Sequence, residues 1–399
     1  MPQSIDELES VPLTADPDAA GLDPVALGRL TDAIRHDIDR GLHLGATVLV
    51  ARGGVVGYHQ AIGMADPSTA RDSRLDDLYF LMSVTKSFTA VAVLQLIERG
   101  QLSLDTRVAE IIPEYAQRGK QHITVYHLLT HTAGAYSGFS LPTGMQWEDQ
   151  GNLDLTTRFL TPLPALHRPG ARVVYSPWEG FAILAEVVRR LDPQQRAFRE
   201  LLRDEIFSPL GMSSSSMGAP VDHPRRVPVK VVNPGGAAQA ASQMESLNNT
   251  GTDFELAGGS GYSTTSDLFR FADALRRGGA NEHGRVLSRA TTEYAFRNHT
   301  GDKINEFWDF NKEAADLPDF PANFTLGGGY ARGDGHHLTP VGQTASASSF
   351  CAVGSGTTSW MVDPERELTV VFLSSGLVEG LRHFQRLQRI NDLALSAVL

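Results

Sequence analysis

Cysteine is almost absent from this 399-residue chain: Cys351 stands alone, which excludes an internal disulfide and fits a reducing compartment. Positive charge is outweighed, with 35 Lys and Arg against 46 Asp and Glu. The formal net charge of −11 argues against nucleic acid or an anionic membrane as partner, because neither attracts an acidic surface. No uninterrupted apolar run approaches the roughly 20 residues of a spanning helix. Residues 1–20, MPQSIDELESVPLTADPDAA, lack the basic start and apolar stretch of a secretory signal, so a cytoplasmic location is the expectation. Several motifs are missing as well. There is no Gly-x-Ser-x-Gly elbow, which counts against an α/β-hydrolase esterase. The glycine-rich LGGGYARGDG (326–335) has no Gly-Lys-Ser/Thr ending to cradle a phosphate. His127 and His131, in HLLTH, have the spacing of metal ligands on one helix face but lack the acidic companion of a zinc-protease site. No metal and no organic cofactor is expected.

What is present is an ordinary globular composition, 41% hydrophobic and 20% charged, in a chain long enough for two joined lobes. Apolar residues at helical spacing predict a helix within 22–41, stopped by Gly41. GATVLVARG and GVVGYHQAIGMAD, separated by Gly53-Gly54, read as a hairpin. Helical patterns cover 125–130, 180–191 and 198–207, and 213–249 reads as a long loop excursion rich in Ser, Pro, Gly, Ala and Asn. Two strand-like runs joined by DPERE (363–367) and a terminal helix close the chain. The expected fold is α+β: an antiparallel sheet built from the N- and C-terminal segments, flanked by helices, with a mostly helical lobe inserted. An N-terminal extension over 1–24, an α/β lobe over 25–80 and 256–399, and a helical lobe over 81–255 follow, with the active site between the lobes.

The stretch FLMSVTKSFTA (80–90) places Ser83 three residues before Lys86. A serine at a helix start has a structural use, since its hydroxyl caps an orphan backbone N–H. The apolar run LYFLM before it brings the chain into the helix from inside the protein, however, and residues three apart share a helix face. A buried lysine amine beside a serine hydroxyl is a nucleophile next to a base, as covalent catalysis requires. Of the five lysines, the other four have no serine three residues earlier. Tyr175, in VVYSPWEGFAILAEVV (173–188), stands at a loop-to-helix junction, and Gly354, Ser355 and Gly356 open an apolar β segment where another group can approach the backbone.

Six segments occur in an order that resembles the serine β-lactamase-like proteins: SVTK, ITVYHLLTHTAG (123–134), RPGARVVYS, SPLGM (208–212), LAGGSGYSTTSDLFRFADALRRGG (256–279) and the final glycine strand. The pattern is similar to class C β-lactamases, DD-peptidases and, more specifically, family VIII carboxylesterases, and covers nearly the whole chain from about residue 25. The resemblance implies a β-lactamase/transpeptidase-like fold. It makes Ser83 the nucleophile, Lys86 its activating partner and Tyr175 the proton relay, with the backbone N–H groups of Ser83 and Ser355 as the oxyanion hole. Two departures stand out. Tyr-Ser-Asn becomes Tyr175-Ser176-Pro177, and Lys-Thr-Gly or its His/Trp variants becomes Ala352-Val353-Gly354, so the cation that clamps a β-lactam carboxylate is missing unless Arg332 supplies it. Aromatics in 135–149 and 304–313, among them Tyr136, Trp147 and Trp308, are candidates for the substrate pocket, together with Gly354 and Ala352. The expected activity is hydrolysis of small esters without a cofactor. An acyltransferase, a β-lactamase or D-amino-acid peptidase type of amidohydrolase, and a catalytically silent binding protein are the alternatives. The expected partner is a small-molecule ester or amide, neither nucleic acid nor membrane.

Overall fold

The N-terminal hairpin sets the geometry of the main sheet. Strands β1 (Gly45–Arg52) and β2 (Val55–Asp66) are joined by Gly53 and Gly54 at φ +60° and +87°, the left-handed pair that a two-residue hairpin turn demands. In this computed structural model, which describes residues 13–137, 141–232, 238–333, 335–378 and 380–399, β1 pairs on its other side with the C-terminal strand β10 (Leu368–Ser375). The register runs from Gly45 opposite Ser375 to Arg52 opposite Leu368. Adding β3 (Arg71–Asp72), β7 (Tyr330–Ala331), β8 (Phe350–Gly354) and β9 (Thr358–Asp363) gives a seven-stranded antiparallel sheet in the order β3-β2-β1-β10-β9-β8-β7. A small sheet of β4 (Tyr79–Phe80), β5 (Ser216–Met217) and β6 (Gly261–Ser263) stands beside it in the order β4-β6-β5.

Both faces of the middle of the large sheet are covered, which is why β1, β9 and β10 are buried at nearly every position rather than at alternate ones. Val48, Val50, Val370, Phe372 and Met361 pack against Pro24–Asp39 and Gly380–Leu395, the first and last long helices. Leu49, Ala51, Trp360, Val371 and Leu373 face a larger core shared with the inserted helices. At the centre of that core lies Thr85–Glu98, buried on all sides from Thr85 to Leu96. A helix apolar all round belongs inside a protein. Its Phe88 meets Phe207 and Phe271 edge-on at 5.0 and 4.8 Å, and it stops before Gly100 at φ +68°.

The helices expected at 22–41, 125–130 and 180–191 are present at Pro24–Asp39, Val125–Leu129 and Glu179–Leu191. The segment 213–249 differs from the expected loop: it contributes β5 and an Ala238–Glu245 helix followed by the turn Ser246–Asn249. Its polar composition hid the few apolar side chains, Met244 and Leu247 among them, that dock these pieces on a core cluster. Residues 1–12 of the expected extension, 138–140 of the aromatic loop and 233–237 of this segment lie outside the described residues.

Candidate active site

Ser83 sits in a single 3-10 turn, Met82–Val84, that feeds the buried helix. Met82, just before it, is held at φ +51°, a left-handed conformation that is uncommon for a side chain of this size and typical of backbone over-determined at functional positions. The neighbouring hairpin clamps this turn. The Thr358 hydroxyl donates to the Leu81 carbonyl at 2.6 Å, and Gly354 passes so close that a Cβ there would collide with the same carbonyl.

Two side chains converge on the serine. The Tyr175 hydroxyl donates to Ser83 Oγ at 2.8 Å and Lys86 Nζ donates to it at 3.1 Å. Lys86 is 1% exposed, donates also to the Gly258 carbonyl at 2.8 Å, and its ammonium lies 5.1 Å from the Tyr175 ring centre and 5.5 Å from that of Phe181. Among the described residues, no carboxylate forms an ion pair with it. The glycines of 326–335 have a packing use here: Gly328, at φ +75°, runs against the Lys86 carbonyl, where a Cβ would fall 2.7 Å from it.

Tyr175 is positioned from several sides. Its backbone N–H donates to Asn305 Oδ1 at 3.1 Å, and its ring packs at a tilt against His131 with centroids 4.5 Å apart. His131 is buried at φ +56°, and its Nδ1 accepts the Ser176 N–H at 3.1 Å. Burial, reinforced by the Lys86 charge, holds the imidazole well below its usual pKa, so it is neutral. His127 is engaged elsewhere, its Nδ1 accepting from the Thr124 N–H at 3.1 Å. Beneath the 131–136 segment, Glu179 pairs with Lys120 at 2.9 Å with both side chains fully buried. It also accepts from the Tyr115 hydroxyl at 2.8 Å and the Tyr136 N–H at 2.6 Å.

Ser83, Tyr175 and Ser355 line one cavity of about 480 Å³. Ser355 and Gly356 lie in the turn between β8 and β9 rather than within a strand, and the Ser355 N–H meets no acceptor among the described residues. Behind this turn the buried Arg386 donates to the Gly356 carbonyl at 2.8 Å. Of the candidate pocket residues, Trp147 and Trp308 stand in the cavity wall. Ala352, Gly354 and Tyr136 are not. Side chains alternate along β8, so Ala352 is turned into the core with Phe350 and Trp360 at 0% exposure, and Val353 takes the cavity side. Gly354 abuts the Ser83 turn, and Tyr136 meets Glu179 and Ser176 through its backbone. Arg332 supplies no charge to the cavity either: it is buried and donates to the His336 and Gln343 carbonyls. Phe307, from the aromatic stretch 304–313, is in the wall too, whereas Trp178, Met244 and Leu256 join it with no local signal to mark them, because they come together only in the fold.

Comparison with known proteins agrees with this architecture. A family model described as Beta-lactamase matches residues 30–395. Esterase EstB of Burkholderia gladioli is 29% identical over a match covering 92% of this chain and 95% of that protein. Lovastatin esterase of Penicillium rubens is 29% identical, with 66% of this chain and 71% of that protein covered. A solved family VIII carboxylesterase superposes with a TM-score of 0.74 at 21% identity, covering 93% of this chain and 98% of that one. EstCE1, a hydrolase with promiscuous acyltransferase activity, gives 0.73 at 20% identity, covering 92% and 98%. With the family match running almost from end to end of a fold that these structures share, the chain belongs to the beta-lactamase family.

Proposed function

We propose that this protein is a serine carboxylesterase that works through a Ser83 acyl-enzyme. The observation that carries the reading is the convergence of Tyr175 and Lys86 on one hydroxyl at the floor of an apolar cavity. Attack begins when the Ser83 proton passes to the Tyr175–Lys86 pair, one member of which must be in its deprotonated form. Ser83 Oγ then bonds to the ester carbonyl carbon, and the oxyanion is held by the backbone N–H groups of Ser83 and Ser355. Collapse breaks the bond to the alcohol oxygen, which takes the proton back from the pair. In the second half, water gives its proton to the same pair and attacks the acyl carbon; collapse breaks the bond to Ser83 Oγ, which takes that proton from the pair as the acid leaves. His131 and Asn305 act as positioning residues for Tyr175.

The relatives' names support the ester over the lactam. So does the wall itself, which among the described residues holds no arginine or lysine to receive a carboxylate. A charge-assisted hydrogen bond contributes on the order of 1.5–3 kcal/mol, so its absence disfavours a carboxylated substrate by roughly ten- to a hundredfold. Acyl transfer to an alcohol or amine differs from hydrolysis only in the acceptor that meets the acyl-enzyme. The contact among Ser83, Lys86 and Tyr175 argues against a silent binding protein, and a cytoplasmic location fits the lone cysteine. The test is turnover of nitrophenyl butanoate, with and without added alcohols, beside a chromogenic cephalosporin. Ser83→Ala is expected to lose at least about 10³-fold in kcat. Retained activity in that variant, or a cephalosporin favoured over the ester, would overturn the reading.

A further inference from the structure

The wall of the Ser83 cavity is more specialised than a short ester requires. Three of the four tryptophans of the chain, Trp147, Trp178 and Trp308, face it, joined by Phe307, Met244 and Leu256. Trp147 and Trp178 meet edge to face at 6.0 Å, and Phe307 meets Trp308 at 5.1 Å and Tyr175 at 5.3 Å. The aromatic surface is therefore continuous from the Trp308 side up to the reacting hydroxyl. Among the described residues, no Asp, Glu, Lys or Arg lines the cavity. His383 is the imidazole in the wall; its ring is occupied by Arg386 at 2.8 Å and the Thr358 carbonyl at 3.4 Å. Burial, with Arg386 beside it, keeps that ring neutral. The volume of about 480 Å³ falls in the range that encloses most of the surface of a drug-sized ligand. An acetyl or butanoyl group would leave most of this apolar surface in contact with water.

Resting on the Ser83 esterase reading, we infer that the substrate is an uncharged ester bearing a large apolar, ring-containing group that fills the tryptophan-walled cavity beside Ser83. Affinity comes from removing that group and the aromatic wall from water, which scales with the apolar area covered. Selectivity comes from a wall that among the described residues offers no partner for an ion, because a carboxylate placed there is desolvated without compensation.

The experiment uses the full chain and three nitrophenyl esters with the same leaving group: acetate, phenylbutanoate and carboxyphenylbutanoate. Specificity constants are expected to be at least about tenfold higher for phenylbutanoate than for either of the others. Binding is read separately in Ser83→Ala through intrinsic fluorescence, which is dominated by the cavity tryptophans. Methyl phenylbutanoate is expected to quench it saturably, and the carboxylated analogue to need at least about tenfold more. Acetate turned over as well as phenylbutanoate, or the carboxylated ester handled equally, overturns the inference while leaving the esterase intact. Saturable, charge-selective quenching without turnover of any ester supports the cavity assignment and overturns the esterase reading instead.

Discussion

Replacing Gly258 by alanine tests whether the placement of Lys86 matters, because it adds one methyl beside the amine and removes no catalytic group. A Cβ at 258 would lie 3.0 Å from Lys86 Nζ, 3.4 Å from its Cε and 3.2 Å from the Pro177 carbonyl. Comfortable contact begins near ~3.5 Å, so Nζ must move by about 0.5 Å. It is held between Ser83 Oγ at 3.1 Å and the Gly258 carbonyl at 2.8 Å, and a shift of that size takes the first bond to the limit of hydrogen bonding. Displacement of a reacting group by about 1 Å costs roughly a hundredfold, so half of that is expected to lower kcat about tenfold, or about 1.4 kcal/mol. KM is expected to stay within about twofold, because the methyl points at the amine and leaves the apolar wall in place. Overpacking costs about 1 kcal/mol of stability, which urea unfolding of the same preparation measures. A folded Gly258→Ala enzyme with unchanged kcat would refute the claim that Lys86 acts from this position.

Glu179→Gln is expected to cost about 3–5 kcal/mol in urea unfolding, because it leaves the Lys120 ammonium buried without its partner. A loss below about 1 kcal/mol would show that the pair does not hold the 131–136 segment, whereas Lys120→Met/Glu179→Leu should recover much of the deficit. Acid stability follows from the buried histidines. His43 is depressed to about 3 by burial, and His131 and His383 lie well below their usual value for the same reason. In each the unfolded chain binds the proton first, so stability rises with pH up to about 6.5 and is then level. Unfolding at about pH 5.5 should show a loss of roughly 1.4 kcal/mol per histidine relative to pH 7.5, and equal stability at the two values would contradict the burial of these rings as neutral groups.

Local chemistry was legible in the sequence, and assembly was not. Ser83 and Lys86 share a motif, and Tyr175 follows a Pro-Gly turn ahead of a helix, so each is marked within a few residues of itself. The hairpin at Gly53-Gly54 was readable because both turn positions need left-handed backbone. Ala352 was expected in the pocket because its place in the motif Ala352-Val353-Gly354 fixes a position along a strand without showing which face is the core. One step along β8 separates the buried Ala352 from the cavity residue Val353. The Lys120–Glu179 pair spans 59 residues with no local pattern at either end. The tryptophan wall likewise draws on positions 147, 178 and 308, and only tertiary packing brings them together.

The central claim is that Ser83 is the residue acylated, and a serine-directed fluorophosphonate tests it most directly. Intact mass is expected to rise by a single adduct, with peptide mapping placing it on the segment that contains Ser83 and with ester turnover lost in proportion to labelling. The Ser83→Ala protein should take up no label. An adduct on Ser355 or Ser176, or full turnover in a protein labelled at Ser83, would contradict the account.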